Sequence, residues 1–207
     1  MPAAAPDLAA LRARIRAMER LRPPPGTAVP VAEQVDRALP GGGLALGQLH
    51  QLLAEDAAAT AFAATLAGRL AERLDRPVAW ILAGDDLYGP GLAPYGLGPA
   101  RLVVVRSRND EAALWAMEEA LRCPELACVV AELRRLELTA GRRLQLAAED
   151  GGVTGLALHP PLARAANAGS TRWRVAAAPG GCWRLVLERC RGGMPGEWVV
   201  GQARDSW

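Results

Sequence analysis

Between residues 48 and 159 the chain alternates apolar runs with amphipathic stretches, and this alternation constrains the fold more than any other feature. The runs 48–53, 78–83, 101–105, 126–132 and 153–159 are mostly continuous in Leu, Val, Ile and Ala. Continuous rather than alternating apolar character is what strands covered on both faces require. Helical patterns fall between them at 57–74, 110–122 and 139–149, with Asn109 or Asp110 placed to cap the second and Thr139 the third. Strand followed by helix, repeated, predicts an α/β fold: a mostly parallel sheet with helices on both sides. The tail reads differently. Short strands at 172–176, 182–188 and 197–201 are joined by Pro-Gly-Gly and Gly-Gly-Met-Pro-Gly turns, which predicts an antiparallel extension.

With 207 residues, the chain is long enough to bury one full core. The N-terminal part stands apart. Over residues 7–22, Leu8, Leu11, Ile15 and Met18 recur at spacings of three and four, while Arg12, Arg14, Arg16 and Arg20 fall mostly off that stripe. This is an amphipathic basic helix, and the Pro23-Pro24-Pro25-Gly26 run ends it and forms a stiff linker. The expected division is therefore 1–30 for helix and linker and 31–207 for the α/β domain.

In a parallel sheet of this kind, ligands bind beyond the carboxyl ends of the strands, and the first strand-to-helix turn is the usual phosphate cradle. A working cradle needs glycines, a lysine on the phosphates and a hydroxyl on magnesium. Here the turn reads Leu53-Ala54-Glu55-Asp56-Ala57-Ala58-Ala59-Thr60, with no glycine. All 24 basic residues of the chain are arginine, so no lysine is present at all. Glu55 and Asp56 would set two negative charges against a polyphosphate. At the other strand ends, Ala131 stands where a magnesium-supporting carboxylate would be expected, with Glu132 one place later and so turned to the other face. Asp85 and Asp86 sit in an Asp-Asp-Leu-Tyr-Gly-Pro-Gly sequence that reads as a turn. His50 and His159 have no partners arranged as a triad, and Cys123 has no basic neighbour to activate it. No catalytic, cofactor-binding or metal-ligating residue is assigned, and the chain is expected not to be an enzyme.

The four cysteines form no metal-binding or disulfide pattern, and no stretch is long and apolar enough to span a membrane, so a cytoplasmic location is expected. A net charge of +2 does not by itself announce a nucleic-acid partner. In the tail, Arg172-Trp173-Arg174 and Trp183-Arg184 interleave arginine and tryptophan in a way that suggests single-stranded DNA binding. Strand alternation sets Trp183, Leu185 and Leu187 on one face and Arg184 and Glu188 on the other, which favours buried tryptophans.

Several segments carry a resemblance. Residues 35–49, with Leu39-Pro40-Gly41-Gly42-Gly43 at their centre, are similar to the leader before the phosphate loop in RecA-type recombinases. Residues 85–97 resemble the segment after their second core strand, and 189–198 their closing hairpin. Within that superfamily the chain is similar to the ImuA family of bacterial mutagenesis cassettes. The match is carried by Ala113-Leu114-Trp115-Ala116-Met117-Glu118-Glu119, by residues 138–149, and by Arg172-Trp173-Arg174-Val175. The resemblance implies a RecA-like domain and damage-inducible expression. It also implies work alongside RecA, an ImuB-type polymerase-like protein and an error-prone DNA polymerase in translesion synthesis. In the superfamily an N-terminal helix packs on a neighbouring protomer, so the resemblance allows a homo-oligomer. Leu8, Leu11, Arg12, Ile15, Arg16 and Trp115 are the candidate partner contacts. Trp115 lies beside the Leu114/Met117/Leu121 stripe, so core packing is the competing assignment for it. A cell-division inhibitor similar to SulA is the alternative family reading.

Overall fold

The computed structural model describes residues 28–82, 87–161 and 168–201. The candidate helix with Leu8, Leu11, Arg12, Ile15 and Arg16, and the pair Asp85 and Asp86, lie outside the described residues. Ten strands and four α-helices are described. A short antiparallel pair, β1 (Ala28–Val29) and β2 (Leu44–Ala45), flanks the one-turn helix α1 (Glu33–Asp36). The main unit then runs β3 (Leu49–Ala54), α2 (Ala58–Leu74), β4 (Val78–Leu82), β5 (Leu102–Arg106), α3 (Asp110–Leu121), β6 (Cys128–Glu132), α4 (Leu138–Gly151) and β7 (Thr154–His159). It closes with β8 (Thr171–Ala178), β9 (Cys182–Cys190) and β10 (Gly196–Gly201).

The last eight of these strands form one sheet in the order β10-β9-β8-β3-β7-β6-β4-β5. Every pair from β8 through to β5 is parallel, and only β8/β9 and β9/β10 are antiparallel. The fold is thus the mostly parallel, RecA-like α/β sheet expected, with an antiparallel C-terminal extension. The extension begins one strand later than the tail pattern suggests: β8 pairs parallel with β3 on one side and antiparallel with β9 on the other.

Two apolar layers sandwich the sheet. On the α2 face Trp80, Trp173, Trp183 and Phe62 pack together, with Phe62 edge-on to Trp183 at 5.3 Å. On the α3/α4 face Leu49, Ile81, Met117 and Leu144 form the second layer. Close helix contact depends on glycine. A Cβ on Gly68 of α2 would meet the Tyr95 carbonyl oxygen at 1.7 Å, and one on Gly151 would meet that of Leu121 at 2.1 Å. The latter contact draws the C-terminal ends of α3 and α4 together.

Two local expectations are corrected. The helix α4 starts at Leu138 with Glu137 in the cap position and no side-chain cap, so Thr139 is already inside it. Asn109 does cap α3, accepting the Ala112 N–H at 2.9 Å. The run at 101–105 is apolar, yet β5 is not covered on both faces: Val103 is 48% and Val104 36% exposed. It is one of the sheet's two edge strands, the other being β10, and lies beyond the cover of the helices packed over the middle.

Candidate functional site

At the carboxyl end of β3, the turn into α2 is closed by the chain's own charges. Asp56 Oδ1 accepts the Ala58 N–H at 2.7 Å, and its Oδ2 accepts the Ala177 N–H from β8 at 2.9 Å. A helix N-terminus presents orphan amides and the positive end of its dipole, which is where a phosphate would bind. Here a carboxylate already occupies the first of those amides. Beside it Glu55 pairs with Arg174 at 2.6 Å, and Arg174 also reaches Glu188 at 2.7 Å. The bonds to Glu55 and then Glu188 hold the guanidinium of Arg174 above its ordinary pKa. The turn therefore carries two internal ties: Asp56 on two backbone amides, and Glu55 joined through Arg174 to Glu188 of β9.

The neighbouring strand ends are also occupied. Glu132 accepts the indole N–H of the fully buried Trp80 at 2.8 Å, so its carboxylate is tied to the core. His50 is buried between β3 and β8. Its Nε2 lies 2.8 Å from the Ala45 carbonyl, which can only accept, so the proton sits on Nε2 and Nδ1 accepts from the Thr171 hydroxyl at 2.8 Å. Thr171 in turn accepts the Trp173 indole N–H at 2.7 Å. Burial lowers the pKa of His50 to about 4, so the ring is neutral. His159 is buried too. It donates from Nδ1 to the Pro160 carbonyl at 3.0 Å, its Nε2 has no partner among the described residues, and burial lowers its pKa. The Cys123 thiol donates to Glu125 at 3.1 Å, and that bond raises its pKa. In the tail Trp173 and Trp183 are buried while Arg184 faces out to pair with Glu197 at 2.8 Å, so neither tryptophan offers a ring for base stacking.

On the opposite face of the sheet the situation reverses. The side chain of Trp115, on the outer side of α3, is 66% exposed, so it is not a core residue. It borders a cleft of about 370 Å³ between the first turns of α3 and α4, floored by Leu114, Ala140 and Leu144. The core takes Ala113, Met117 and Leu121 instead; on a 3.6-residue period, position 115 falls nearly opposite Met117. Leu146 on α4 is 58% exposed. Glu118, largely buried, ties the two helices. It accepts from Arg122 at 2.7 Å and pairs with Arg143 of α4, and these arginines, Arg122 first, hold its carboxyl below the usual range. Asp110, Glu111 and Glu137 add acidic groups to the rim and Arg135 a basic one.

The sequence identifies Glu55 and Asp56 as incompatible with a phosphate, but not what they do instead. Asp56 two residues before α2 is a capping signal that could have been read from the chain. Its bond to Ala177 and the Arg174 bridge could not, because they join residues 121 and 119 positions apart.

Among the described residues no helix is long and apolar enough to cross a membrane. No family model matches the chain. Protein ImuA of Caulobacter vibrioides, strain NA1000 / CB15N, is 39% identical, the match covering 83% of this chain and 81% of that protein. Protein ImuA of a second strain of the same species, ATCC 19089 / CIP 103742 / CB 15, matches equally. At that identity and coverage the chain belongs to the ImuA family, the one its segments around Trp115, 138–149 and Arg172 resemble.

Proposed function

We propose that the protein is a non-catalytic accessory factor of damage-induced, error-prone translesion DNA synthesis. It acts by binding RecA and mutasome partners, an ImuB-type polymerase-like protein and an error-prone polymerase. The observation that carries the non-catalytic part is the Asp56 carboxylate on the Ala58 amide. A polyphosphate at that turn would have to displace a bound carboxylate and then face Glu55. Trp115 supports the binding part, because an exposed tryptophan beside an acid-rimmed cleft has the make-up of an interface anchor. Fold and chemistry are separable, and a RecA-like shape without its cradle still offers surfaces to recognise.

Two measurements test this. Titration of the intact chain with magnesium-ATP is expected to give no binding heat and no phosphate release; micromolar binding with turnover would falsify the non-catalytic reading. Capture of RecA or the ImuB-type protein by the intact chain is expected, and to be weakened about tenfold or more by Trp115→Ala. Failure of the intact chain to capture either partner removes the binding reading.

A further inference from the structure

The two edges of the sheet are finished differently. On β10 the Val199 carbonyl accepts from the Gln34 side chain at 2.9 Å, and Glu197 places a charge on the strand. Charges, prolines and bulges blunt natural edges, because an open row of backbone groups otherwise pairs with another strand. Between Leu102 and Val105, β5 has none of these devices. The run is Leu-Val-Val-Val, its register with β4 is unbroken, and among the described residues no strand pairs with its outer side. Ser107, just past the strand, donates its N–H to the Leu82 carbonyl of β4 at 2.8 Å. Backbone groups turn to alternate sides residue by residue, so Val103 and Val105 bond β4 while Leu102 and Val104 turn theirs outward. Val103 and Val104 point to opposite faces and are 48% and 36% exposed, which leaves room for a further strand on both faces.

We infer that β5 pairs antiparallel with the β5 of a second copy, about a two-fold axis at Val104, joining two sheets edge to edge. Self-complementarity selects a second copy over another extended chain. With the axis at Val104, that residue exchanges both backbone bonds with its own counterpart, Val103 lies opposite Val105, and Leu102 lies opposite Arg106. Valine therefore meets valine on both faces, the kind of cross-strand pair that stabilises a sheet. The bracketing arginines fit the same register. Arg106 can lay its aliphatic stem along Leu102, and Arg101 keeps its ion pair with Asp75 at 3.4 Å. A slip of one residue would set Arg106 against Arg101 of the other copy, so charge opposes that alternative. The ladder is short, which makes the dimer a weak, concentration-dependent one. Its surface shares no residue with the cleft beside Trp115.

Sedimentation equilibrium of the intact chain, from about 1 μM to about 1 mM, tests this. The mass is expected to rise with concentration from that of one chain towards that of two. Val104→Pro removes only an outward N–H and leaves the β4 ladder whole, and it is expected to weaken association about tenfold or more. Val104→Lys and Val104→Glu copies are each expected to stay monomeric, because like charges meet at the axis, and an equimolar mixture is expected to dimerise. That recovery belongs to a residue that faces itself, and it carries the test should the proline variant fail to fold. An intact chain that is monomeric throughout overturns the inference. So does a folded Val104→Pro variant that associates as before, or a Lys/Glu mixture that stays monomeric while the intact chain dimerises.

Discussion

The turn before α2 and the cleft between α3 and α4 lie at the same carboxyl edge of the parallel strands, on opposite faces of the sheet, and they are built in opposite ways. At the turn, polar groups meet partners from within the chain: Asp56 with two amides, Glu55 and Glu188 with Arg174. At the cleft, a large apolar ring faces outward beside acidic groups. The contrast teaches that the strand-end position favoured for ligands does not by itself decide where a surface is available. Acids at both places have partners within the chain, so what sets the cleft apart is the exposed Trp115 ring beside it.

If that contrast holds, perturbing the β3 side should cost stability, and perturbing Trp115 should cost binding. The largest effect is expected from the buried His50 on β3. Its folded pKa is lowered to about 4 from 6.5, so between those values the unfolded chain binds the extra proton. Stability contributed by the neutral ring is therefore fully present above about pH 6.5. It is expected to fall by about 3 kcal/mol as pH drops towards 4. Denaturant unfolding across that range measures the slope, and a His50→Gln variant that keeps the full slope contradicts the assignment.

Asp56→Ala comes next. It removes the cap on Ala58 and the tie to β8, at an expected cost of about 1–2 kcal/mol, whereas Asp56→Asn keeps an acceptor and costs less than half of that. A neutral Asp56→Ala would mean that the turn is held by something else, and the comparison would lose one side.

Glu118→Ala should cost about 1 kcal/mol, since the half-exposed Arg122 and Arg143 left behind can turn to water. The carboxyl's lowered pKa makes this contribution present above the ordinary carboxylate range and lost as pH falls through its folded value. A thermal melt of wild type and variant at neutral and acid pH should show the two converging in acid.

The smallest change in stability, within about 0.5 kcal/mol, is expected for Trp115→Ala, because an exposed ring loses little contact. A drop of 2 kcal/mol or more on chemical denaturation would return Trp115 to the core and dissolve the contrast.

Much of this architecture is legible in the chain. Five parallel strands and the three long helices follow from local periodicity, and the buried faces of β8 and β9 follow from alternation at Trp173, Trp183 and Leu185. What escapes a local reading is non-local or marginal. Nothing near Arg174 announces Glu55, and an apolar run cannot reveal that β5 is an edge. Trp115 borders an apolar stripe closely enough that period alone leaves two assignments open. Thr139 looks like a cap because its residue type suits one, but the helix begins a residue earlier, at Leu138.

The position of β3 also sets an order of events. Emerging early from the ribosome, this central strand pairs only with β7 and β8; His50, for instance, meets Thr171 across 121 residues of chain. Until those strands are made, its apolar Leu49–Ala54 edges have no native neighbour, and closing such long loops is slow. Synthesis must therefore be nearly complete before the heart of the sheet can lock, and truncated or stalled chains will expose a segment whose first five residues the finished protein buries.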